Sequence, residues 1–264
     1  MKFDIRRYAT CSSTNDVAGE LARRGAAEGT VVVAEEQTAG RGTKGRAWHS
    51  ARGKGLYVSL VLRPPTPMFS LLPLAAGLAA AEAVRRSHRL SVRLRWPNDI
   101  LWKGKKLGGV LCESVFLGNR PDYVILGVGL NVNYDEDDFP VDIRASAVSI
   151  KMATGRKADP ESLLRRLLAG LERWSDVHSG PDGGRKIVRA FERVSVARKG
   201  DPLTVIMGQE HVPGVYEGID SDGALLLRGE NGIRRFAGAE ILGMENGHAH
   251  RHRYRQYDHR HRPF

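Results

Sequence analysis

Residues 92–109 read Val92-Arg93-Leu94-Arg95-Trp96-Pro97-Asn98-Asp99-Ile100-Leu101-Trp102-Lys103-Gly104-Lys105-Lys106-Leu107-Gly108-Gly109. Alternation over 92–96 predicts a strand with its arginines on one face, and Pro97-Asn98-Asp99 breaks it with ordinary turn chemistry. The apolar runs 100–102 and 107–115 then flank Lys103-Gly104-Lys105-Lys106, which reads as a hairpin whose tip carries three lysines. A charged residue leading into an apolar strand is expensive to bury unless it is paired, and the Gly108-Gly109 pair permits close approach by a backbone or a ligand.

Working outward, residues 3–10 suggest an opening strand, and Ser12-Ser13-Thr14-Asn15-Asp16 offers hydroxyl caps for a helix that Gly25 stops. Residues 30–35 and 56–62 are strands joined by about twenty glycine-rich, cationic residues, a length that in a compact domain is usually functional. Helices are expected over 70–87, 160–177 and 186–194, the second capped by Asp159 before Pro160. Residues 123–132 read as a buried strand. From 196 to 242 the pattern turns to short strands and tight turns, for which a small antiparallel barrel is the economical reading.

With 264 residues, one large domain and a smaller one are expected. An apolar fraction of 41% against 27% charged excludes a wholly disordered chain. The net charge of +11 favours anionic partners, yet residues 248–264 carry +4 of it, so the body is only moderately basic. Cys11 and Cys112 sit in no Cys-x-x-Cys, which argues against a disulfide framework or zinc ribbon and for reduced thiols in the cytoplasm. The start has no apolar core of a signal peptide, and the weakly polar run 71–84 is shorter than the roughly 20 residues that span a bilayer.

Chemistry concentrates in four places. Gln37-Thr38-Ala39-Gly40-Arg41-Gly42-Thr43-Lys44-Gly45-Arg46-Ala47-Trp48 intersperses glycines with three cations and can fold around a polyanion. It lacks the Gly-Lys-Ser/Thr ending of a Walker loop, so the phosphate argument rests on charge and glycine; a solvated basic loop is the competing reading. The second and third are Arg95 to Asp99 and Lys105 to Leu111. The fourth, Gly127-Val128-Gly129-Leu130-Asn131-Val132-Asn133, lacks the third glycine and following helix of a dinucleotide fingerprint, so a nicotinamide site is not expected.

Together and in this order, with Ser13-Thr14-Asn15 ahead of them, these elements resemble the biotin protein ligase family from about Cys11 to Leu242. The resemblance implies an α/β (α+β) fold: a mixed-sheet catalytic domain over 1–194 related to class II aminoacyl-tRNA synthetases and lipoate ligases, then a small SH3-like β-barrel over 195–246. Residues 247–264 are expected to be a disordered basic tail. Larger repressor members carry an N-terminal winged helix; here the Ser-Thr-Asn motif begins at residue 13, so the monofunctional type is expected, with no specific DNA binding and no membrane, and a homodimer admitted.

The reaction implied is ATP-dependent: biotin becomes biotinyl-5′-AMP, and the acyl group passes to a lysine of a biotin carboxyl carrier protein of acetyl-CoA carboxylase or a related carboxylase. ATP and biotin are substrates, Mg2+ arrives with ATP, and no permanently bound cofactor is implied. Bringing a carboxylate to about 4 Å from a phosphate costs roughly 4 kcal/mol at an effective dielectric of about 20, so cations are required. By resemblance Lys106 is the central catalytic group, bridging carboxylate and α-phosphate, with Arg41 beside it. Ser13, Thr14, Asn15 and Gln37 match positions that hydrogen-bond the ureido ring, and Arg41, Gly42, Thr43, Lys106 and Gly109 complete the biotin set. Helix capping competes for Ser13 and Thr14. ATP would be held by Arg41, Lys44, Arg46, Trp48, Asn98, Asp99 and Asn131, the arginines because their forks suit phosphate; Asp99 is the one candidate ligand to magnesium. A plain core role competes for Trp48.

The chain departs from the family at Thr43, where many members have arginine, and at Arg95, where lysine commonly precedes Trp-Pro-Asn-Asp. Losing a cation at 43 predicts looser retention of the adenylate. Two rival readings are a lipoate or octanoate ligase or transferase on the same fold, against which the Gly-Arg-Gly loop argues, and a nucleic-acid-binding module suggested by the basic tail. The five tail histidines have no folded metal-ligand spacing.

Overall fold

In the computed structural model, residues 1–63, 68–118 and 120–242 are described. The basic tail and the last residues of the expected barrel lie outside them. The chain opens with strand β1 (Asp4–Tyr8), helix α1 (Thr14–Arg23), β2 (Thr30–Ala34) and, past the glycine-rich loop, β3 (Gly55–Leu62). Helix α2 (Leu72–His88) begins with a proline in its first turn and stops at Arg89, which takes a left-handed conformation. Then come β4 (Arg93–Arg95), β5 (Asp99–Trp102), β6 (Lys105–Leu117) and β7 (Arg120–Asn131), followed by the short helices α3 (Val141–Arg144) and α4 (Ile150–Thr154). Helix α5 (Pro160–Ser179) is capped as the sequence predicts, the Asp159 carboxylate accepting from the Glu161 and Ser162 amides, and α6 (Gly183–Val194) follows.

The seven strands make one mixed sheet in the order β1-β2-β3-β7-β6-β5-β4, with β1 and β2 parallel and every other pair antiparallel. β3, buried along its whole length, sits between β2 and β7, and its apolar run reflects cover on both faces. On one face Ala18 and Ala22 of α1 pack on Val32, Val61, Tyr123 and Ile125. On the other lie α2, α5 and α6; alanines along α2 let α5 approach closely, Gly170 lying against Ala79. This arrangement leaves room on the α1 face of the central strands, where the functional residues gather.

The lysine-tipped hairpin differs from expectation. Its turn is Lys103-Gly104 alone, both at positive φ as a tight two-residue hairpin requires, while Lys105 and Lys106 already belong to β6. A register shift between Ile100 and Leu101 sets Leu101 opposite Lys106 and Ile100 opposite Gly108. Lys106 is thereby removed from the tip and fixed in the ladder. The residues expected to cap α1 also behave differently: Ser13 occupies the N-cap position but makes no capping bond.

Beyond α6 the chain forms β8 (Pro202–Met207), β9 (Glu210–Ile219), β10 (Leu225–Gly229), β11 (Gly232–Phe236) and β12 (Glu240–Ile241), an antiparallel sheet in the order β11-β10-β9-β8-β12. It is joined to the larger sheet's layer by one buried and one part-buried polar contact, among others. The Trp96 indole donates to the Gly223 carbonyl at 2.9 Å, and the Ile219 amide donates to the Glu192 carboxylate at 3.1 Å.

Candidate active site

A cavity of about 210 Å³ opens over β3, β6 and β7, and most of the candidate residues line it. From the first helix come Ser13, Thr14 and Asn15; from the loop come Gln37, Arg41, Gly42, Thr43, Arg46 and Trp48; from the hairpin region and β7 come Asn98, Lys106, Gly109 and Asn131. Two candidates are not in the lining. Lys44 is turned to the C-terminal sheet, and Asp99 lies behind Lys106.

The first helix contributes buried polar groups, which must be bonded to persist there. Ser59, a fully buried hydroxyl in the otherwise apolar β3, donates toward Thr14 Oγ1 at 2.8 Å and Asn15 Oδ1 at 2.6 Å. Thr14 Oγ1 in turn donates to Gln37 Oε1 at 3.0 Å, Gln37 Nε2 to Ser50 Oγ at 2.8 Å, and Ser50 Oγ to the Trp48 carbonyl at 3.1 Å. This chain of donors runs from the sheet through the helix start into the loop. Ser13's side chain makes no capping bond to the helix it precedes.

The glycines of Gly127-Val128-Gly129 have a steric purpose. A Cβ on Gly127 would stand 2.3 Å from Asn15 Oδ1, and one on Gly129 would stand 2.8 Å from the Trp48 indole. Each glycine therefore seats one functional side chain against the sheet. The Trp48 indole N–H is shielded from solvent with no partner among the described residues, and Lys106 Nζ lies 5.6 Å from the ring centroid. Trp48 belongs to the cavity wall and not to the core alone.

Lys106 is fixed at both ends. Its amide donates to the Ser146 carbonyl at 2.7 Å, and its carbonyl accepts from the Val148 amide at 3.0 Å. Asn131 Nδ2 donates to the carbonyls of Lys106 and Val148 at 3.3 and 3.1 Å. The Lys106 ammonium meets Asp99 Oδ1 at 2.6 Å, while Asp99 Oδ2 accepts from Arg95 Nε and Nη2 at 3.0 and 2.5 Å. Burial by itself would raise the Asp99 carboxyl; the Lys106 and Arg95 charges outweigh it and hold the group below the usual carboxylate range. With both oxygens facing cations, Asp99 suits a charge clamp better than a magnesium ligand. Among the described residues no cluster of three or more His, Cys, Asp or Glu is placed to hold a metal. Asn98 and Asn131 line the cavity but direct their amide N–H groups to main-chain carbonyls, Asn98 to Val110 at 2.8 Å.

The loop is ordered by carboxylates that the sequence reading did not single out. Arg41 pairs with Asp16 on α1 and, through Nη2, with Glu113 on β6 at 3.1 Å; Asn15 Nδ2 donates to the same Glu113 at 2.6 Å. The bond to Asp16 and the Glu113 contact raise the Arg41 guanidinium above its ordinary value. Arg46 pairs with Glu240 on β12, Lys44 lies 3.7 Å from the same carboxylate, and Thr43 Oγ1 donates to it at 3.5 Å. These partners are 25 to 197 residues away along the chain. Ser59 alone had a local signal, being polar within an apolar strand.

Comparison with known proteins agrees with this geometry. Residues 8–131 match the biotin/lipoate A/B protein ligase family, and residues 200–242 match the biotin protein ligase C-terminal domain. A biotin–[acetyl-CoA-carboxylase] ligase of Paracoccus denitrificans is 35% identical over 242 residues, spanning 89% of this chain and 98% of that protein. The chain belongs to the biotin protein ligase family. A bifunctional ligase/repressor of Bacillus subtilis is 36% identical over 237 residues, covering 87% of this ligase-family chain and 71% of its own length. Among solved structures, a biotin protein ligase from Aquifex aeolicus in complex with biotin and ATP superposes with a TM-score of 0.78 at 29% identity, covering 90% of this chain and 97% of that one.

Proposed function

We propose that this protein is an ATP-dependent biotin–[biotin carboxyl carrier protein] ligase. It joins biotin to ATP as biotinyl-5′-AMP with release of pyrophosphate, then transfers the biotinyl group to one lysine of a biotin carboxyl carrier protein with release of AMP. The single observation that carries the reading is the meeting of Lys106, Trp48 and the Ser13–Gln37 group in one cavity, in a chain whose curated relatives are biotin ligases.

Biotin enters with its ureido ring against α1, where the Ser13 hydroxyl and the polar groups of Thr14, Asn15 and Gln37 match a carbonyl flanked by two N–H groups. Its valeryl chain runs along Trp48 and the glycine strand toward Lys106, with Gly109 giving the Lys106 stem space. The carboxylate oxygen attacks the α-phosphorus, and Lys106 offsets the repulsion between the two anions. Arg41 and Arg46 receive phosphate oxygens, which requires each to exchange a carboxylate for the ligand. Lys44 joins them as a point charge, Thr43 and Gly42 cover the adenylate, and Asn98, Asp99 and Asn131 act on the nucleotide mainly by fixing the strand that bears Lys106. Magnesium comes with the ATP phosphates, keeping its waters and taking no assigned protein ligand. A ligase body over 1–194 and a C-terminal unit from 195 fit the two separate family matches.

The test is transfer of labelled biotin to a carrier domain, together with exchange of pyrophosphate into ATP in the presence of biotin, lipoate or octanoate. Exchange with biotin alone supports the reading. Exchange with lipoate or octanoate and none with biotin overturns it in favour of the rival ligases.

A further inference from the structure

We infer that Arg95 is a positioning residue for adenylation, acting through Asp99 to keep Lys106 free to meet the two anionic reactants. The inference rests on the ligase reading above. Three charged side chains, contributed by β4, β5 and β6, form one line: Arg95 on Asp99 Oδ2, and Lys106 on Asp99 Oδ1. The carboxylate is the innermost member, its side chain 12% exposed, and Lys106 the outermost at 35%. Only Lys106 of the three lines the cavity.

Charge decides what this line does. A buried Asp99 with Lys106 alone would be a neutral pair, and an ammonium closed onto a carboxylate attracts a second carboxylate and a phosphate weakly. Adding Arg95 gives the cluster one net positive charge at the wall and occupies one of the two carboxylate oxygens. Lys106 is then held by a single oxygen and can turn to the ligand without leaving a buried, unpaired carboxylate behind it, because Arg95 stays. Arginine suits this better than lysine: Arg95 and Asp99 are direct cross-strand partners in the β4–β5 hairpin, and a two-donor fork from that position fixes the carboxylate's orientation, whereas an ammonium supplies a point charge.

The experiment compares the full chain with Arg95→Met and Arg95→Lys in biotin-dependent pyrophosphate exchange, with circular dichroism to verify folding. The expected result for Arg95→Met is a kcat lowered about thirtyfold with KM for biotin and ATP each within about threefold, the signature of an interaction made in the transition state. Arg95→Lys, which keeps the charge, is expected to recover to within about fivefold of the unaltered protein. Unchanged kcat in folded Arg95→Met overturns the inference, as does an equal loss in both variants, which would mean that only shape matters at residue 95. If Arg95→Met fails to fold, Arg95→Lys and Arg95→Gln decide it: equal activity in these two overturns the inference, and lysine well above glutamine supports it. Absence of exchange in the unaltered protein with biotin would instead remove the ligase reading, and this inference with it.

Discussion

The cations of this site are held in two opposite ways. Lys106 is carried by a strand, its main chain fastened on both sides and its ammonium set against an inner carboxylate on the neighbouring strand. Arg41, Lys44 and Arg46 are carried by a loop and held by carboxylates on α1, β6 and β12 that are more exposed than Asp99, those of Asp16 and Glu113 over more than a third of their side chains. Exposed pairs contribute about 0–1 kcal/mol each, so a polyphosphate can exchange for Asp16, Glu113 or Glu240 at little cost. On the proposed reading this difference separates duties: the strand would set where chemistry happens, and the loop how long the ligands stay.

This division is broken most severely at the strand. Lys106→Ala is expected to lower biotin-dependent pyrophosphate exchange about a thousandfold, in the range seen when a positioned donor to a developing anion is removed. Binding of biotin, followed by calorimetry, should weaken far less. Activity near that of the unaltered protein would end the assignment of Lys106. Next in size is Gly129→Ala. The added methyl collides with the Trp48 indole, which must leave the wall beside Lys106. About a hundredfold loss in kcat/KM is expected, with little change in the loop's ion pairs, because displacement by about 1 Å near reacting atoms has effects of that order. A second substitution, Trp48→Ala in the same chain, should then add nothing further if the methyl acts through the indole.

How much of this could be read from the sequence follows the same line. The longer strands and helices were legible because each has a local cause: period-two patterning, a proline in the first turn, Asp159 ahead of Pro160; the short helices α3 and α4 and the two-residue β12 carry no such signal and were not expected. The candidate residues on consecutive motifs, Ser13 to Asn15, Gln37, Arg41 to Thr43, Arg46, Trp48, Lys106 and Gly109, were legible through resemblance, and they line one cavity, whereas Lys44 and Asp99 do not. Lys106 was assigned to the hairpin tip because the turn chemistry of Lys103-Gly104 does not reveal where the ladder resumes; the register shift opposite Leu101 is a tertiary outcome. Glu113, Asp16 and Glu240 were invisible because a carboxylate's partner across 25 to 197 residues leaves no periodic trace. The capping role offered for Ser13 and Thr14 failed for a related reason: Thr14 Oγ1 has a better partner in Gln37, which only folding brings near.

On the loop the expected effects are smaller and concern retention. Thr43 supplies a hydroxyl where the family resemblance leads one to expect a guanidinium, and it contacts Arg46 and Glu240 instead of adding charge. Thr43→Arg is therefore expected to slow release of biotinyl-AMP about tenfold, the result of adding one charge-assisted contact of about 1.4 kcal/mol. Equal release rates in the two proteins, measured by chasing labelled adenylate, would remove the idea that the loop governs residence.

The smallest effect sharpens the comparison most. Glu240 faces Arg46, Lys44 and Thr43 together, so on the proposed reading ATP displaces one carboxylate to claim the cations. Removing its charge in Glu240→Gln leaves the loop cations uncompensated before ATP binds, and KM for ATP should fall about threefold while kcat is unchanged, a gain within the about 1 kcal/mol an exposed pair can contribute. The gain should shrink as salt is raised, since the attraction freed by the substitution is screened within about 10 Å at 0.1 M. A rise in KM instead would mean that Glu240 orders the loop more than it competes for it. The loop would then share the strand's duty of positioning, and the separation between where chemistry happens and how long ligands stay would no longer hold.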